Sequence, residues 1–181
     1  MKPHLATAML ALLAGTPSAF SQQPPSDVPP VSEDKVDTDT FTKTLVSANH
    51  FEIESSKLAQ KKGVAADVKD LAALMVKDHT KVGADFKAAL ERSQTTASVK
   101  PEGPPLLPKD QAMLDQLKTL DGDAFQAKYI TLQTQAHKQA VAMFSTYARF
   151  GDDPALKEFA KKTLETLKMH EMHLKDVAAV H

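Results

Sequence analysis

A chain of 181 residues, 42% of them hydrophobic and 25% charged, carries enough apolar material to build one core without outside help. Its formal charge of −1 is made of scattered cations and anions, which excludes the concentrated basic surface of a nucleic-acid binder. With no cysteine there is neither disulfide nor thiol chemistry, so packing alone must hold the fold.

Residues 1–21 have the pattern of a secretory signal peptide. Lys2 supplies a positive start, Leu5 to Gly15 a short apolar run, and Ala19-Phe20-Ser21 small residues around a cleavage point near Ser21. The mature chain is therefore expected in the periplasm or outside the cell. The run falls short of the about 20 residues that cross a bilayer, and no later stretch is longer or more uniformly apolar, so the mature chain is not expected to span a membrane. Residues 22–37 are rich in proline and polar side chains, a composition that stays extended and solvated as a linker.

The remaining residues, 38–179, read as one helical domain. Helix 1 is predicted from about Thr38 to Lys62, with Phe41, Leu45, Ala48, Glu52 and Ala59 on one face. Gly63 stops it. Helix 2 is predicted from about Ala65 to Ser93, with Val68, Leu71, Met75, His79, Val82, Phe86 and Leu90 in three-four alternation. A connection so short makes these two helices antiparallel neighbours.

From about Thr95 to Pro108 the prolines and Gly103 forbid a helix and predict a long crossover, with Pro108 suited to the first turn of a new helix. A short amphipathic piece (Met113, Leu114, Leu117, Leu120) then leads through Asp121-Gly122, a kink or a break, into helix 3. Helix 3 ends near Phe150 and carries Phe125, Tyr129, Leu132, His137, Phe144 and Tyr147. Gly151-Asp152-Asp153-Pro154 is a turn with an N-cap aspartate and a proline at the first helical position. Helix 4 runs from there towards Ala179 with Leu156, Phe159, Leu164, Leu167, His170, Leu174 and Val177 inward. Two antiparallel hairpins joined by one long crossover define an all-α, ferritin-like four-helix bundle, with an extra short helix before helix 3 as an option.

Each predicted stripe carries one polar side chain able to bind metal where an aliphatic is expected: Glu52, His79, His137 and His170. Counting from the turns puts Glu52 and His79 within about one helical turn of each other in height, and His137 and His170 closer still. Asp78 and Glu171 lie where either could orient an imidazole. Glu171 is also the residue that would point inward in place of His170 if helix 4 were rotated. His50 and Glu54 fall on other faces of helix 1 and read as surface residues.

Glu52 with Leu58-Ala59, Leu74-Met75-Val76-Lys77-Asp78-His79, Gly122-Asp123-Ala124-Phe125-Gln126-Ala127-Lys128-Tyr129, His137, and Thr163-Leu164-Glu165-Thr166-Leu167-Lys168-Met169-His170 occur in that order. Together they resemble a bacterial ferritin-like family of unknown function, DUF4142, whose members are often described as putative membrane or predicted outer-membrane proteins. The likeness covers about Asp39 to Ala178. It departs from the family pattern at Gln126, usually acidic, and at Leu164-Glu165, usually Leu-Pro. The resemblance implies an exported, all-helical protein and brings no reaction with it.

Diiron bundles use Glu-x-x-His on two helices. Here the residues three before His79, His137, His170 and His173 are Val76, Thr134, Leu167 and His170, which speaks against a diiron oxidase. Neutral imidazoles with one carboxylate suit a single transition-metal ion such as zinc or iron, with copper behind them. The alternative is a metal-free polar core in which Glu52 accepts from histidines, in an envelope-stress or protein-interaction module. Protein partners and homo-oligomers stay open. Met169-His170-Glu171-Met172-His173 also has the composition of a soft copper site, against the plainer reading of methionines as bundle filler and His173 as solvated. There is no Gly-x-Ser-x-Gly, and no serine placed for nucleophilic attack. The expectation is an exported bundle that holds a metal without catalysis, with an enzyme acting through a metal-bound water as a third alternative.

Overall fold

The computed structural model describes residues 35–94 and 106–181. The expected leader, most of the linker and most of the crossover lie outside these residues. Five helices and no strand occur among the described residues: α1 (Thr38–Lys61), α2 (Ala66–Arg92), α3 (Pro108–Lys118), α4 (Gly122–Phe150) and α5 (Pro154–Ala178). No helix among them is long and apolar enough to cross a membrane.

Side-chain clusters fix the directions of the helices. One apolar cluster joins Phe41 and Leu45 at the start of α1 to Phe86 at the end of α2, Tyr147 at the end of α4 and Phe159 at the start of α5. At the other end, a second cluster joins Ala59, Val68, Phe125 and Tyr129, with Val177 packed beside it. Thus α1 and α5 run one way, α2 and α4 the other. The packed neighbours are α1 with α2, α2 with α5, α5 with α4, and α4 with α1, which closes a four-helix ring. The chain between α2 and α4 passes from one end of this ring to the other, and α3 is its described part, as in ferritin-like connectivity.

Between the two clusters lies a belt of buried polar side chains that includes Glu52, Ser55, His79, Gln133, His137 and His170. Each sits on the same inward stripe as the aliphatics above and below it, so helix periodicity alone buries them. The four sequence candidates are all inside.

The break at Gly122 is a true one. Gly122 has φ +53°, a conformation that side chains with a Cβ adopt only under strain, and it separates α3 from α4. α3 packs on α1 and α4 and is tied to α1 by a serine hydroxyl at its first turn. Its own cap residue, Leu107, has no side-chain oxygen. Ser47 of α1 bridges the first turn instead: its Oγ accepts from the Leu107 N–H at 2.8 Å and donates to buried Asp110 at 2.5 Å.

The α4–α5 turn obeys its sequence signals closely. Asp153 caps α5 by accepting from the Leu156 N–H at 2.9 Å, and Pro154 takes the first helical position. Gly151 is required by close approach, because a Cβ there would lie 2.6 Å from the Tyr147 carbonyl oxygen. Gln126 accepts from the Ala65 N–H at 2.7 Å and donates to His181 Nδ1 at 3.0 Å, at the position where the resemblance implied an acidic residue. A carboxylate could not do both.

Candidate metal centre

His79 from α2, His137 from α4 and His170 from α5 meet in the polar belt, 4%, 1% and 0% exposed. Their ring centroids form a nearly equilateral triangle with sides of 5.5, 5.4 and 5.3 Å. One nitrogen of each lies within 4.8 Å of the other two, so the three can hold a metal ion.

Hydrogen bonds on the outer nitrogens decide where the protons sit. His137 Nδ1 is 3.0 Å from the Gln133 carbonyl oxygen, which only accepts, so Nδ1 carries the hydrogen and Nε2 the lone pair. His170 Nε2 is 3.0 Å from Asp78 Oδ2 and donates to it, leaving a lone pair on Nδ1. His79 Nδ1 donates to Asn49 Oδ1 at 3.0 Å, leaving a lone pair on Nε2, which has no hydrogen-bond partner. All three lone pairs therefore face inward. His137 Nε2 and His170 Nδ1 stand 3.2 Å apart with no proton of their own between them.

A proton is a poor remedy in this place. Burial first, then the neighbouring imidazoles, holds His79 well below the ordinary histidine range. His137 is pushed down to about 4 by burial and by His170, against the opposing pull of the Gln133 carbonyl. Burial also lowers His170, although Asp78 works the other way. An imidazolium is disfavoured at each vertex.

Glu52 is buried beside the triangle and not within it. Its Oε1 lies 3.7 Å from His137 Nδ1, the nitrogen that faces away from the other two rings. Desolvation pushes its carboxyl up to about 8, with Asp110 adding to the rise and Gln133 opposing it, and Oε2 has no hydrogen-bond partner. A cavity of about 60 Å³ opens between Glu52, Asn49, His79 and His137 and is otherwise walled largely by apolar side chains.

The sequence profile of the family described as Domain of unknown function (DUF4142) matches residues 21–177. The chain belongs to this family. No curated protein matches it, and no solved structure does. Within this DUF4142 bundle, Asp78 takes the orienting position expected of it. Glu171 makes no such contact and lines an outer groove with Lys168 and Met172, while His170 is the inward group.

Met169 and Met172 are 36% and 62% exposed, so they are not core filler, and His173 is exposed as expected. Glu54 pairs with Lys57 at the surface. His50 is only half exposed, and its buried Nδ1 has no hydrogen-bond partner, which differs from a plain surface residue. Two positioning residues escaped the sequence reading, Asn49 and Gln133. The signal was available in their spacing, since Asn49 is three residues before Glu52 and Gln133 four before His137, on the same inward stripes.

Proposed function

We propose that this DUF4142 protein is an exported helical bundle that binds one divalent transition-metal ion through His79 Nε2, His137 Nε2 and His170 Nδ1. The single observation that carries the reading is the set of three inward lone pairs, each fixed by an acceptor on the opposite ring nitrogen. Metal-bound histidines have this arrangement, because an anchored outer N–H sets both tautomer and ring orientation. The 3.2 Å between two of the nitrogens is close to the about 3.3 Å expected between ligands of a tetrahedral zinc with bonds of about 2.0–2.1 Å. Imidazole ligands also suit iron, nickel and copper. Export is supported by the leader pattern of residues 1–21.

A metal-free polar core is the second reading. It accounts for Asn49, Gln133 and Asp78, yet it leaves His79 Nε2 without a partner and two lone pairs opposed across 3.2 Å. Each unsatisfied buried group costs about 1–3 kcal/mol. The metal reading leaves none of these three nitrogens unsatisfied.

Titration of zinc into tag-free apo protein against a chromophoric chelator tests the reading. One ion per chain is expected, with affinity falling at least about 100-fold in His79→Ala, His137→Ala and His170→Ala, since loss of an orienting partner alone costs about 10–100-fold. Absence of stoichiometric binding by zinc, iron, nickel and copper, or binding indifferent to all three substitutions, overturns it.

A further inference from the structure

Because His79, His137 and His170 are so nearly sealed from solvent, an ion reaches the space between them only when a side chain moves. The three rings are not held alike. His137 is anchored by a main-chain carbonyl and His170 by a carboxylate, whereas His79 has the Asn49 side-chain amide as acceptor for Nδ1 and no partner at Nε2. An acceptor that is neither charged nor main chain is the easiest of the three to release. Free space also borders His79 on two sides, an outer groove of about 400 Å³ between α1 and α2 and the inner cavity of about 60 Å³, and Asn49 borders both as well. Close packing is what normally holds a core side chain in place, so a residue between two voids has room to turn.

Two further features of the outer groove concern a metal. Gly83 stands one turn after His79 inside α2, where alanine would suit the helix better, and a Cβ there would meet Asn49 Nδ2 at 3.4 Å. The bare position keeps the groove open down to Asn49. His50, the chain neighbour of Asn49, lines the same groove and has a buried Nδ1 committed to no hydrogen bond, and imidazole nitrogens are ligands for transition metals. We propose that the metal ion enters and leaves the three-histidine centre through the α1–α2 groove, taken first by His50 and passed inward by His79, which swings on release from Asn49 while His137 and His170 stay in place. This rests on the metal reading above. It adds one mobile ligand beside two fixed ones, the arrangement of a centre that exchanges its ion.

Stopped-flow loading of apo protein with zinc, and release of zinc to excess chelator, test it beside the equilibrium affinity. Gly83→Leu, which fills the groove and replaces no ligand, is expected to slow loading and release alike by at least about tenfold. Its dissociation constant is then expected to stay within about threefold of the wild type. His50→Ala is expected to slow both steps by at least about threefold, again in equal ratio. Ala88→Leu, in the groove between α2 and α5 that Asp78 lines, is expected to change neither rate. Unchanged rates in either α1–α2 groove variant, or slowed loading in Ala88→Leu, would overturn the proposal while the metal centre stood. Weaker zinc with unchanged loading in Gly83→Leu, the mark of a packing defect, would overturn it too. Wild-type protein that binds no zinc would sink the metal reading and this one with it. Diethyl pyrocarbonate, which acylates a neutral imidazole nitrogen that reaches solvent, keeps the test independent of how the variants fold. On the wild-type apo chain, mass spectrometry is expected to find His79 modified ahead of His137 and His170, and any other order among the three, or equal rates, would contradict the proposal.

Discussion

At the scale of single residues, the most informative atoms are the outer nitrogens of the three rings. Asp78 holds His170 from a position still partly open to solvent, with its side chain 17% exposed. Asp78→Ala is therefore expected to leave the fold intact and to weaken zinc by about 10–100-fold, measured by chelator competition. Glu52 behaves differently. Its folded value of about 8 against a usual 4.5 means that the native state keeps a proton which the unfolded chain releases. The resulting stability is complete below about pH 4.5 and is lost as pH rises through about 8. In Glu52→Gln the decline of apo stability between about pH 7 and 9, above the range where the histidines of the unfolded chain titrate, is expected to flatten in urea unfolding, while zinc stoichiometry stays at one. The inward position of all four candidates was legible in the sequence, because an apolar stripe interrupted by one polar residue can only bury it. Which of the four share a centre was not legible. Glu52 and His79 already differed by about one turn in the helix count. That offset corresponds to Glu52 standing beside His137 and outside the triangle.

At the scale of elements, two joints carry more than their size suggests. Ser47 bridges the start of α3 from outside, so Ser47→Ala would strip both the Leu107 N–H and the buried Asp110 carboxylate of a partner. A loss of about 1–3 kcal/mol in urea unfolding is expected, with α3 the first segment to lose amide protection in hydrogen exchange. Gly151→Ala meets the Tyr147 carbonyl at 2.6 Å, which is backbone and cannot swing away, and a loss of about 1–3 kcal/mol is expected there as well. The four long helices could be read from periodicity, the Gly63 stop and the Asp153-Pro154 start, whereas the Asp37 cap of α1 was hidden in what read as linker. The kink-or-break choice at Gly122 could not, since it depends on whether α3 finds a partner, and that partner is a serine 60 residues earlier in the chain than Leu107.

At the scale of the whole molecule, a bundle with apolar clusters at both ends and a polar belt between them must offset the cost of the belt in some way. Without metal, the depressed histidines make the fold sensitive to acid. Below about pH 6.5 the unfolded chain takes up protons that the folded one refuses, down to about pH 4 at His137. Apo stability is expected to fall steadily across that interval, and bound metal to deepen the loss, because neutral imidazoles are what the ion requires. The connectivity could be deduced from turn lengths and the proline-rich crossover, but the convergence of three lone pairs needed coordinates, since a sequence holds no record of which ring nitrogen points where. The most direct measurement is elemental analysis of tag-free protein purified without added chelator, paired with thermal melts before and after metal removal. One first-row transition-metal ion per chain is expected, with a melting temperature that drops on chelation and recovers on reloading. A chain that carries no stoichiometric metal, accepts none when offered, and melts at the same temperature throughout would contradict the account.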